Sequence, residues 1–75
     1  MRFYFDIKDD FFAAVDKEGA ELPGVEIAER EAITMATAVA RDVISSRGTE
    51  VLVTVRNEEQ ALFELRLTAV RKDLR

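Results

Sequence analysis

The chain has 75 residues, a formal net charge of -4, a composition 48% hydrophobic and 35% charged, and neither cysteine nor histidine. So short a chain hides only ~60% of its unfolded surface, which leaves room for one domain over residues 1–75. The composition is too apolar for disorder and has no run of ~18 apolar residues to span a membrane. The missing Cys and His close off disulfides and thiolate or imidazole zinc sites.

Charge begins at once in Met1-Arg2-Phe3-Tyr4-Phe5-Asp6, without the apolar core of a signal peptide, so the expected compartment is the cytoplasm. From Arg2 to Lys8 the residues alternate, with Phe3, Phe5 and Ile7 on one face and Arg2, Tyr4, Asp6 and Lys8 on the other, which predicts a half-buried strand. After Asp9-Asp10 a second strand is expected over residues 11–16. A three-residue loop sends Phe11, Ala13 and Val15 inward, a two-residue loop Phe12 and Ala14; the register stays open.

Lys17-Glu18-Gly19 reads as a turn in which Gly19 carries a positive φ. Pro23 disfavours helix before itself and Gly24 is an acceptable N-cap, so a helix is expected over about residues 25–46. Val25, Ala28, Ala32, Met35, Ala36, Val39, Ala40 and Val43 recur at three- and four-residue steps as its inner stripe. Gly48 suits the position beyond its end, with Arg47 beside the negative dipole pole. Glu29 falls close to the stripe but in the first turns, where an overhanging helix end leaves it in solvent.

Residues 49–56 alternate with Val51, Val53 and Val55 inward, and residues 61–70 with Phe63, Leu65, Leu67 and Ala69 inward. An odd-numbered loop, Glu58-Glu59-Gln60 after Asn57, keeps both sets on one face. That register sets Thr54 opposite Glu64 and Leu52 opposite Arg66, with Arg56 diagonal to Glu64 and Glu50 diagonal to Arg66.

These pieces predict an α+β fold of two layers, one helix on a four-stranded antiparallel sheet in the order ββαββ. Antiparallel pairing leaves the sheet orders 2-1-3-4 and 1-2-4-3; the apolar first strand favours the former, with a right-handed crossover. The last strand then lies on an edge, with backbone groups that invite pairing.

The order Phe3-Tyr4-Phe5-Asp6-Ile7, then Asp16 to Gly19, then Glu21-Leu22-Pro23 before a helix with Ala28, Glu31 and Ala32 resembles a family of small, uncharacterised bacterial proteins known only by a domain of unknown function. Its members open with a Tyr-Phe-Phe-Asp-like strand, continue through Asp-x-x-Gly-x-Glu-Leu and close with a Val-x-Val and Leu-x-Val-x-Leu-like hairpin. The chain departs from that pattern in its turns: Asp9-Asp10 stands where Gly is common, Gly24 where an Asp cap is common, and Asn57 to Gln60 lacks a Gly. The resemblance implies no activity, cofactor or catalytic residue.

Four chemistries are conceivable for these residues. Asp6, Asp9, Asp10, Asp16, Glu18 and Glu21 lack the Asp-x-Asp-x-Asp-Gly spacing of a calcium loop and read as turn residues, so no metal or other cofactor is expected. Without histidine, and with Ser45 and Ser46 placed at a helix end, no catalytic residues are expected and the chain does not read as an enzyme. Single-stranded nucleic acid on the open sheet face is an alternative, with Arg2, Lys8, Arg56 and Arg66 around the ring of Tyr4, but cross-strand pairing neutralises much of that charge. The favoured expectation is a small regulatory module binding itself or another protein and no membrane, through a surface of Arg2, Tyr4, Leu52, Arg56, Leu62, Arg66 and Val70. An antitoxin-like partner protein is a variant of it.

Overall fold

The computed structural model describes residues 1–44 and 49–75. The expected serine pair at 45 and 46, Arg47 and the Gly48 cap lie outside the described residues. The elements are β1 (Arg2–Asp9), β2 (Ala13–Ala14), β3 (Ala20–Glu21), α1 (Val25–Val43), β4 (Glu50–Arg56) and β5 (Ala61–Thr68). The fold is α+β, with the one helix against an antiparallel sheet. Among the described residues the element order is βββαββ and the sheet has five strands, not four; its order is β2-β1-β4-β5, with β3 also beside β1.

The extra strand has a local cause. The expected second strand over residues 11–16 shrinks to Ala13–Ala14, and pairing with β1 resumes only at Ala20–Glu21. Between them the Asp16 carboxylate accepts the Phe5 N–H at 3.1 Å, replacing a strand carbonyl, and folds back to accept the N–H groups of Glu18 and Gly19, both at 3.0 Å. Gly19 adopts φ 72°, as the turn requires.

Neither expected register of the first hairpin buries its aromatics. Lys8 pairs with Ala13 across a four-residue loop, in which the Asp9 carboxylate accepts the N–H groups of Phe11 (2.7 Å) and Phe12 (2.8 Å). Phe11, Phe12 and Val15 are all left exposed. An Asx turn outcompetes the tighter loops because its side chain satisfies two backbone donors at once.

The core is built from Phe3 and Phe5 of β1, Val51, Val53 and Val55 of β4, and Ala28, Ala32 and Ala36 of α1. With only methyl groups on its innermost line, α1 approaches β4 closely, and Met35, Val39, Leu65 and Leu67 fill the flanks. Val25, expected on the inner stripe, is exposed at the first turn, and Glu29 is exposed as well. No described helix is long and apolar enough to cross a membrane.

The β4–β5 register sets Thr54 opposite Glu64 and Leu52 opposite Arg66. Its turn differs from expectation. Asn57 accepts the N–H groups of Glu59 and Gln60, both at 2.8 Å, Arg56 pairs with Ala61, and a bulge absorbs the odd residue.

Candidate interaction surface

Opposite residues in an antiparallel pair share a face, so the side of the sheet away from α1 carries Tyr4, Asp6 and Lys8 of β1, Leu52, Thr54 and Arg56 of β4, and Glu64 and Arg66 of β5. Two polar clusters occupy it. In the first, the Arg56 Nε donates to Asp6 at 2.8 Å and its terminal nitrogen to the Asp16 carbonyl at 2.7 Å, while the guanidinium lies 4.6 Å from the centre of the Tyr4 ring. Asp6 also accepts the Asp16 N–H at 2.9 Å, tying β1, β4 and the loop before β3 together. Arg56 therefore pairs with Asp6 across β1 and β4, not with Glu64 across the second hairpin.

The second cluster lies at the other end of the sheet. Asp10 accepts the N–H groups of Thr49 and Glu50, both at 3.0 Å, and the Thr49 hydroxyl at 2.9 Å, holding the start of β4. Beside it an open groove of about 380 Å³ runs between Lys8, Asp10, Leu52 and Arg66. Its charges are of both signs, and the Nε of Arg66 already lies 3.6 Å from Glu50.

These contacts set the titration. The hydrogen bond from Arg56 holds the Asp6 carboxyl below its ordinary value of 3.8, against the opposing effect of burial, and the Asp16 N–H adds to it. Asp16 is lowered chiefly by the Gly19 N–H, against burial, and further by the N–H groups of Phe5 and Glu18, and Asp10 is lowered chiefly by the Thr49 N–H. Carboxyls lowered on folding stabilise the native state above their unfolded values, and that contribution is lost as pH falls through the folded ones. Thermal melts are therefore expected to be flat near neutrality and to drop below about pH 4; a melting temperature unchanged between pH 5 and pH 2.5 would contradict these assignments.

The anticipated surface is only partly assembled. Tyr4 and Arg56 meet on the outer face, as do Leu52 and Arg66. Arg2 lies at the far end of β1, donating to the Glu18 carbonyl at 2.7 Å. Leu62 does not stand on the outer face; at the bulge it packs against the core. Val70 is 89% exposed but follows the end of β5. The face of Tyr4 available for base stacking is covered by Arg56, and Gly19 approaches the ring closely. Asp6 and Asp16, read from sequence as solvated turn residues, are instead the centre of the network; the Asp-x-x-Gly spacing of Asp16 and Gly19 was the available signal. Among the described residues no three acidic side chains converge to hold a metal ion.

No curated protein and no solved structure matches the chain. A family model described as "Domain of unknown function (DUF6894)" matches residues 2–68, nearly the whole fold, and the chain belongs to that family.

Proposed function

We propose that the protein is a small cytoplasmic binding module, not an enzyme, that works through protein–protein contacts at the free edge of β5 and forms a homodimer. The carrying observation is the asymmetry of the sheet. On one side β1 is flanked by β2 and β3, with Asp16 serving the Phe5 N–H between them. On the other, β5 runs for eight residues and, among the described residues, has a neighbour only at β4. An uncovered strand edge presents a row of unpaired donors and acceptors, and strand addition is a general mode of protein recognition.

The edge can be blocked without touching the fold. The Ala69 N–H donates to the Thr49 carbonyl at 2.9 Å, so by strand alternation the N–H of Thr68 points away from β4. Proline is tolerated at such a position, and Thr68→Pro removes one outward donor while sparing the ladder. Light scattering over a dilution series should give a dimer for the parent chain and a monomer for Thr68→Pro, with similar melting temperatures. A dimer that survives Thr68→Pro would move the contact off this edge.

A further inference from the structure

We infer that the occupant of the β5 edge is β5 of a second copy, paired antiparallel about a two-fold axis through Leu65; this rests on the edge-contact reading above. The backbone supplies the first constraint. Alternation from Ala69, whose N–H faces Thr49, turns Phe63, Leu65 and Leu67 toward β4 and leaves the backbone groups of Glu64, Arg66 and Thr68 facing outward. Only outward residues can pair by hydrogen bonds with outward residues of a neighbour, so Glu64 and Arg66 must meet Glu64, Arg66 or Thr68 of the second copy.

The side chains supply the second constraint. Centring the pair on Leu65 places Glu64 opposite Arg66 of the second copy and Arg66 opposite its Glu64, as a closed two-fold interface requires. Centring on Glu64 or on Arg66 instead sets like charges face to face, which is destabilising in a cross-strand pair. Shifting further separates the two charges and shortens the overlap. The sequence Leu62-Phe63-Glu64-Leu65-Arg66-Leu67-Thr68 is thus self-complementary in one antiparallel register, and that register agrees with the backbone phase.

The inner face is compatible with it. Centring on Leu65 sets Phe63 opposite Leu67 of the second copy and Leu65 opposite Leu65, and all three are only half-buried in the single chain. Beside them an apolar groove of about 100 Å³ between α1 and β5 is lined by Ile33, Ala36, Leu65 and Leu67, with Ile33 44% exposed. The two-fold brings both grooves to the same side of the joined sheets, over the Leu65 pair. Arg66 stays within reach of Glu50 of its own chain while facing Glu64 of the other.

The test is charge reversal read by light scattering and sedimentation, with circular dichroism to confirm folding. Glu64→Arg and Arg66→Glu should each weaken dimerisation about tenfold or more, because each converts two attractive pairs into repulsive ones. An equimolar mixture of the two variants should form a heterodimer, and the double variant Glu64→Arg/Arg66→Glu should dimerise like the parent. Arg66→Glu also loses the Glu50 ion pair; if it fails to fold, Glu64→Arg decides alone, since that pair is intact in it. A dimer insensitive to Glu64→Arg overturns this register; if Thr68→Pro still dissociates that dimer, the edge contact itself stands. A parent chain that is monomeric at all concentrations overturns the self-pairing and leaves the edge to a different protein.

Discussion

Gly19→Ala is expected to destabilise the fold by about 3 kcal/mol, the sum of the left-handed backbone cost for an L-residue and of overpacking. Gly19 sits at φ 72°, and a Cβ there would lie 2.9 Å from both the Phe3 carbonyl oxygen and a ring carbon of Tyr4. The carbonyl belongs to the backbone of β1, and the ring lies beneath the Arg56 guanidinium, itself tied to Asp6, so neither yields easily. A chain this short has a total stability of roughly 4 to 11 kcal/mol, so the loss is a large fraction of it. The melting temperature should fall by roughly 12 to 24 °C. A drop of only a degree or two would show that the loop relaxes into another turn and that Tyr4 is not fixed by it.

Asp16→Ala is the second large effect expected, at roughly 2 kcal/mol. It strips acceptors from the N–H groups of Phe5, Glu18 and Gly19, the first of which belongs to a residue only 4% exposed. Hydrogen exchange gives the sharper readout, because the Phe5 amide should lose protection while amides in the β4–β5 ladder keep theirs. Asp16→Asn retains one acceptor oxygen and should cost less. Equal protection of Phe5 in the parent and in Asp16→Ala would mean that a backbone carbonyl takes over the bond.

Gly19 and Asp16 lie in the part of the molecule least legible in its sequence. The helix could be read because alanines at Ala28, Ala32 and Ala36 repeat with the helical period, and β4 and β5 because Val51, Val53 and Val55 alternate in step with Phe63, Leu65 and Leu67. Periodicity reports such elements because burial of one face is what forms them. Residues 11–16 also carry a strand-length apolar run, yet only Ala13–Ala14 pairs, because carboxylates of Asp9 and Asp16 capture the backbone donors on either side. A hydrophobic pattern carries no trace of that competition.

The interaction surface shows the same division. Leu52 and Arg66 could be set opposite each other from the hairpin alone, since their strands adjoin in sequence. The partnership of Arg56 with Asp6 depends on the register between β1 and β4, whose residues lie some fifty positions apart. Leu62 was misplaced because a bulge shifts the pleat by one residue, which carries a side chain from one face toward the other.

The closed margin formed by β2, Asp16 and β3 also limits how far any association can go. A sheet open on both sides is a template that can lengthen without end, each newcomer offering a fresh edge to the next. Here the far margin consists of β2 and β3, two residues each, with the Asp16 carboxylate on the Phe5 N–H between them, so it offers a newcomer no continuous row of donors and acceptors. Growth into filaments along the sheet is opposed by that broken margin, however strongly the free strand attracts a mate.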